Sequence, residues 1–144
     1  MKKQITTIVA TVSLFAILTA IGIAAGLSQT ITANIPFDFT VSGKTLPAGN
    51  YTVTKGASQG VLILRNFEKG EAVGVIARSA GNDANGKANL TFRRYGNQHF
   101  LAGVLDGINA SEIPTSKAER KAARGNNNLA IAPEVVTIRA TAGQ

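Results

Sequence analysis

The sequence of 144 residues has no cysteine and no tryptophan, and it has only one histidine and one methionine. The absence of cysteine excludes disulfides, lipid attachment at an N-terminal cysteine and thiolate metal ligands. One histidine and scattered carboxylates do not provide the ligands of a tetrahedral zinc site either. The folded part must therefore be stabilised by its apolar core, and we predict no metal and no cofactor.

The N-terminus has the layout of a secretory signal peptide. Met1-Lys2-Lys3 is basic, the run Ile8–Ala25 is apolar, and small residues follow up to Ser28. We predict a signal peptide over residues 1–28 and a single β-rich domain over 29–144, exported to the periplasm, the outer envelope or the extracellular medium. An uncleaved membrane anchor stays open, because the apolar run is just long enough to span a bilayer, although no basic stop-transfer cluster follows it.

The chain is also short of acidic residues. Eight Asp and Glu stand against fifteen Lys and Arg, and the formal net charge is +7. The charge stays positive when Lys2 and Lys3 are removed with the signal. Such a surface attracts acidic polysaccharide, lipid head groups or nucleic acid, although solubility alone explains it equally well. Export makes nucleic acid the weakest of these partners, and we predict none.

A strict alternation of apolar and polar residues runs from Thr30 to Val41. A period of two predicts a half-buried strand, and Pro36, which has no N–H, predicts a sheet edge or a bulge at that position. The next residues, SGKTLPAG (42–49), are rich in turn formers, and the alternation resumes at Tyr51. The segment is therefore predicted to form an antiparallel β-hairpin.

Further strands follow at short spacing. Val61–Asn66 is almost continuously apolar, which predicts a strand buried on both faces. More strands are predicted at Ala72–Arg78, Lys87–Tyr95 and His99–Leu105, with a loop over residues 81–86.

The pattern changes towards the C-terminus. Residues 106–114 read as a loop, and the spacing of Ser116 and Glu119 is that of a capping box that opens a helix over 117–123. A last strand is predicted at 135–141, along an exposed sheet edge. The predicted fold class is mainly β: a small antiparallel β-sandwich or barrel of about seven strands with one short C-terminal helix.

Three stretches carry a family resemblance: IPFDFTVSGKTLPAGNYTV (35–53), FRRYGNQHFLA (92–102) and IPTSKAERKAA (113–123). They resemble an uncharacterised family of small secreted proteins of soil bacteria, which has a signal peptide and then IPFDF…LPAG-Y-V, YG…FL and LP-S-AER blocks. The family has no assigned activity, ligand or catalytic residue, so the resemblance implies no role for any residue here. The chain departs from the family in lacking a tryptophan after FL and in having Ile113 where leucine is usual.

Candidate catalytic and metal sites are weak. His99 is the only histidine, and neither Ser79 nor Asp106, the residues that would have to assist it, lies in a nucleophile-elbow motif. GNDANG (81–86) has the composition of a calcium loop but a single carboxylate, so it is interpreted as a hairpin loop. A hydrolase is the least favoured function, and we predict that the protein is not an enzyme.

Two basic features favour binding instead. One is Arg93, beside aromatic Phe92, and the other is a set of cations on the predicted helix whose spacings of three and four residues place them on one side. A solvated helix face is an equally good interpretation of the second feature. We predict a site for an anionic polysaccharide or membrane surface composed of Lys117, Arg120, Lys121, Arg124 and Arg93.

The function that these observations favour is a non-enzymatic exported β-domain of the envelope or extracellular space, acting by binding or assembly. The alternative is a carrier that holds a small apolar ligand in a barrel cavity. The carrier fails if its interior is filled by Phe37, Phe39, Leu62, Leu64, Leu90 and Phe92. Free edge strands would also allow pairing with another chain.

Overall fold

The computed structural model describes residues 29–83, 86–125 and 130–143. The predicted signal peptide, residues 1–28, lies outside the described residues. The described parts contain twelve strands and one helix. Their bounds are β1 Thr30–Ile35, β2 Phe39–Val41, β3 Lys44–Leu46, β4 Gly49–Lys55, β5 Val61–Asn66, β6 Glu71–Ile76, β7 Arg78–Asn82, β8 Asn89–Tyr95, β9 Gln98–Leu105, β10 Asn109–Glu112, α1 Lys117–Arg124, β11 Glu134–Arg139 and β12 Thr141–Gly143.

The strands form two open sheets around a shared core. The first sheet has the order β12-β1-β4-β5-β6, and the second has the order β11-β8-β9-β10-β7. The hairpin β2–β3 belongs to the second sheet, because β2 pairs in parallel with β9 at Thr40 and Phe100. The other described pairings are antiparallel. The prediction of a mainly β sandwich with one short helix is confirmed, although the described residues form twelve strands where about seven were predicted.

The long alternation near the start forms two strands, not one. β1 ends at Ile35 in the first sheet, and the chain crosses over Pro36-Phe37-Asp38 to begin β2 at Phe39 in the second. Since Pro36 has no N–H to donate, the ladder of the first sheet ends there. The return strand is confirmed, because Ile31 pairs antiparallel with Val53, but the hairpin β2–β3 is inserted between the two strands.

The predicted last strand is also divided between the sheets. β11 pairs with β8 at one edge of the second sheet, as the prediction of an edge strand requires. After Ala140 the chain crosses over, and β12 pairs with β1 at an edge of the first sheet, with Gly143 opposite Thr30. The described chain therefore begins and ends side by side.

Burial of β5 differs from the prediction. Leu62 and Leu64 are buried, whereas Arg65 is exposed, so the expectation that this strand is buried on both faces is wrong. The sequence of β5 is apolar on both faces because Val61 and Ile63, on the face away from the core, are half-buried. The first sheet thus packs on the core with one face only, which is the usual state of an antiparallel sheet.

The interior between the sheets is filled. Phe39 lies edge-on to Tyr51 and to Phe92, with ring centroids 5.1 and 5.4 Å apart. Of the six side chains whose filling of the interior would exclude a carrier, five are buried and Phe37 is half-buried. Beside Ile31 and Val104 the space between the sheets measures only about 10 Å³. This is far smaller than the pockets that hold small ligands, so the packing counts against the carrier.

The segment after β9 contains more structure than predicted. The loop expected over residues 106–114 includes β10, which pairs with both β9 and β7. The predicted helix is confirmed as α1, and it ends before Gly125, whose φ of 58° suits glycine. Within the described ranges, no helix is both long and apolar enough to cross a bilayer.

Candidate anion-binding site

The helix α1 presents its cations on one side. Their spacing of three and four residues places them on neighbouring turns, and all four side chains are exposed. None of them takes part in an ion pair with another described residue. We call this surface the basic face; it consists of Lys117, Arg120, Lys121 and Arg124.

The only carboxylate of the helix points the other way. Glu119 is buried, with 2% of its surface exposed, and its Oε1 accepts a hydrogen bond from Arg93 Nε. Arg93 Nη2 lies 3.4 Å from Glu119 Oε2 and donates to the Ile113 carbonyl at 3.3 Å. The Tyr95 hydroxyl lies 3.5 Å from the same carboxylate. Because the charge of Glu119 is compensated by Arg93 inside the protein, it does not offset the positive charge of the basic face.

This contact assigns Arg93 a structural position. The sequence placed Arg93 in the anion-binding set, but its guanidinium is taken up by Glu119, and the side chain is only 21% exposed. The hydrogen bond from Arg93 to Glu119 raises the pKa of Arg93 above its ordinary value, against the lowering effect of burial. We therefore restrict the site to the basic face.

The capping-box prediction is half confirmed. The backbone N–H of Glu119 donates to Ser116 Oγ at 3.1 Å, as the motif requires. The reciprocal bond, from the Ser116 N–H to the Glu119 carboxylate, is not among the hydrogen bonds of the described residues. The reason is that Arg93 and Tyr95 engage this carboxylate instead.

A groove lies beside the basic face, between the hairpin β2–β3, the turn from β8 to β9, and α1. Its volume is about 580 Å³. Lys121 is the one cation of the basic face that also lines it. Its other lining residues include the polar residues Asp38, Thr40, Thr45, Asn97, Gln98 and His99, together with Phe39, Phe100, Ala118 and Ala122.

Two side chains of the groove are held in fixed positions. The His99 ring stacks on Phe37, with centroids 3.9 Å apart and an interplanar angle of 13°. Burial, with a further contribution from Arg94, lowers the pKa of His99 below its ordinary value, so this imidazole is mainly neutral at pH 7. Asp38 Oδ1 accepts the backbone N–H of Ala48 at 2.9 Å, which orients the carboxylate.

The residues considered for a hydrolase do not converge on His99. His99 lies at the start of β9 and Asp106 just beyond its end, so about seven residues of strand, or roughly 23 Å, separate them. Asp106 instead accepts hydrogen bonds from Asn109 and Ile108. Ser79 lies in β7, which does not pair with β9.

The candidate calcium loop is only partly described. Residues 84–85 lie outside the described residues, and β7 extends through Gly81 and Asn82, so the loop starts later than predicted. Among residues 29–83, 86–125 and 130–143, no group of three His, Asp or Glu side chains is arranged to hold a metal ion.

Sequence reasoning missed the groove and the anchor of the helix. Asn97 lies in a turn and Gln98 is the first residue of β9, and neither carried a pattern of its own. The contact of His99 with Phe37 joins residues from distant segments. The pair of Arg93 and Glu119 spans 26 residues. Both residues are visible in the sequence, but no local signal shows that their side chains meet. No family model, curated protein or solved structure matches this chain.

Proposed function

We propose that this protein is a non-enzymatic exported domain of the envelope or extracellular space, and that its basic face binds an anionic polysaccharide. The observation that carries the proposal is the separation of charge on α1. Four cations face solvent without ion pairs to described residues, while the single carboxylate of the helix is neutralised by Arg93 in the interior. Opposite charge is attracted to such a surface over roughly 8–10 Å at moderate salt.

The composition of α1 favours a polysaccharide over a membrane surface. A helix that lies in a bilayer interface needs large apolar side chains opposite its basic side. In α1 the other side consists of Glu119, Ala122 and Ala123, and it turns towards the domain. The exposed residues of the helix are its four cations and Ala118, so it has no large apolar group to insert.

Export is supported by the N-terminal residues: the basic start, the apolar run and the small residues before Gln29. The resemblance to small secreted proteins points the same way. N-terminal sequencing of the protein recovered from the envelope and the medium tests this part. A mature chain that begins at Gln29 supports it, and an intact chain found only in the cytosol overturns it.

The binding test is salt-dependent retention of the purified protein on immobilised polygalacturonate. We compare the wild type with a variant in which all four residues of the basic face are changed to Gln. A matched control changes four exposed cations elsewhere to Gln and so has the same net charge: Arg65, Lys69, Arg78 and Lys87. The helix variant should lose retention at low salt, and the control should keep most of it.

The proposal fails if the wild type is not retained at low salt, or if both variants lose retention equally, because net charge alone would then explain the binding. Vesicles rich in phosphatidylglycerol form the second arm of the experiment. Equal or stronger binding to these vesicles would overturn the choice of a polysaccharide over a membrane.

A further inference from the structure

The groove beside α1 has a chemistry that the basic face alone does not have. From its lining we infer that the groove is a subsite for a single uronic acid unit, a sugar that carries one carboxylate and several hydroxyls. This inference rests on the proposed function and names the sugar class that the protein selects. A volume of about 580 Å³ lies within the range of sites that hold small ligands.

Lys121 links the two surfaces. It is part of the basic face, and it also lines the groove, whereas the other three cations of the helix do not. Its ammonium group is a compact charge with three donors on a flexible stem, and it can reach a carboxylate inside the groove. A polymer lying along the basic face would thus have one of its units placed in the groove.

The remaining polar groups of the groove suit hydroxyls better than further charge. Asn97 and Gln98 each offer an amide that donates and accepts, and neither side chain is hydrogen-bonded to another described residue. Asp38 Oδ1 is engaged by Ala48, while Oδ2 accepts no hydrogen bond from a described residue. A carboxylate oxygen in this position accepts hydrogen bonds from sugar hydroxyls.

Asp38 also favours a uronate over a more highly charged sulfated or phosphorylated sugar. A negative charge within the groove repels a ligand with several charges per unit more strongly than a ligand with one, and such repulsion is one way in which a site rejects the wrong partner. A uronate has one negative charge per unit, which Lys121 can meet, and its hydroxyls face the acid. The stacked ring of His99 adds a rigid wall with one donor and one acceptor while it is neutral.

The test measures binding of trigalacturonate to the purified full-length protein by NMR titration. Lys121→Gln should raise the dissociation constant of trigalacturonate about tenfold, which is typical for the loss of a charged hydrogen bond. Lys69→Gln removes the same charge from an exposed position outside both the basic face and the groove, so trigalacturonate binding should change by less than about twofold. Lys121→Gln should also lower retention on the long polymer, and Lys69→Gln should keep most of it.

A second variant tests selectivity. Asp38→Asn keeps an acceptor for the Ala48 N–H and removes the negative charge from the groove. It should narrow the preference for trigalacturonate over a sulfated trisaccharide of equal length. An unchanged preference would overturn the role given to Asp38.

The outcomes separate this inference from the proposed function. If the long polymer binds through the basic face but trigalacturonate does not bind, the groove inference is wrong and the proposed function stands. If Lys69→Gln and Lys121→Gln weaken trigalacturonate binding equally, the groove inference is again wrong. If neither ligand binds at low salt, the proposed function itself fails.

Discussion

Each end of strand β9 has a buried carboxylate nearby, and the two are held in different ways. Near the start of β9, Glu119 of the helix is held by Arg93, which lies 26 residues earlier in the chain. Beyond the far end, Asp106 accepts the backbone N–H groups of Ile108 and Asn109 at 3.0 and 2.7 Å. The first contact joins two elements, and the second closes a turn.

The outer partner of Asp106 adds little. Lys55 Nζ lies 3.4 Å from Asp106 Oδ2, but the Lys55 side chain is 55% exposed, so the pair is expected to contribute about 0.5 kcal/mol or less. The carboxylate of Asp106 stabilises a turn formed by its own neighbours in the chain. The carboxylate of Glu119 instead forms a long-range contact that joins the helix to the second sheet. The position of the basic face is therefore expected to depend on the contact between Glu119 and Arg93.

The largest effect is expected from Glu119→Ala. This change leaves the Arg93 guanidinium mostly buried without its partner, and breaking a buried pair from one side costs about 3 kcal/mol. It should also release α1 from the sheet and weaken polygalacturonate retention. Urea denaturation gives the free energy of unfolding, and the retention assay gives the second readout.

The control for Glu119→Ala is the double variant Arg93→Met, Glu119→Ala. If the two side chains act as a pair, the double variant should be destabilised by less than the sum of the two single changes. Additive losses would show that Glu119 and Arg93 are not coupled, and the contrast between the two ends of β9 would disappear.

A smaller effect is expected from Asp106→Ala, which leaves the N–H groups of Ile108 and Asn109 without their acceptor. The loss should be about 2 kcal/mol. Asp106→Asn keeps one acceptor oxygen and should lose less, and Lys55→Met should lose least. All three variants should keep full polymer retention, because the turn is remote from α1. A loss of retention in Asp106→Ala would contradict the independence of the two ends.

The smallest effect concerns acid pH. Burial raises the pKa of Asp106, but hydrogen bonds from Asn109 and Ile108, together with the charge of Lys55, outweigh it, so the pKa lies below its ordinary value. The folded state therefore binds this proton less readily than the unfolded chain, whose Asp pKa is about 3.9. The resulting stabilisation is present above about pH 4 and is lost as the pH falls through the folded-state pKa.

The matched comparison for this pH effect is Asp106→Asn. The difference in unfolding free energy between the wild type and this variant should be largest at pH 5–6 and should shrink below about pH 4. A difference that stays constant through this range would contradict the lowered pKa of Asp106.

The parts of the fold that depend on neighbours in the chain could be predicted. Alternation identified most strands, and the pattern from Ser116 to Glu119 identified the helix, because these structures are set by local periodicity and by a contact three residues away. β5 was misjudged because an apolar run does not show which face is covered. β10 was missed because its pairing with β7 and β9 is decided by distant strands.

The candidate site was predictable only in part. The spacing of the helix cations was sufficient to place them on one side, since a helix has a fixed period. The fate of Arg93 was not predictable, because its position on β8 says nothing about a helix more than twenty residues later. The groove was not predictable either, because a chain crossing at Pro36, a turn and a helix have to meet before it exists.

The position of Gln29, just before β1, bears on how the domain would be displayed. Gln29 lies beside Asp106, at the end of the sandwich away from His99 and α1. If residues 1–28 were retained as a tether, the groove would face outward from the bilayer and remain open to a long polymer. If they are removed, the freed protein would have no fixed orientation relative to the bilayer, and its basic face could approach a polymer from any direction.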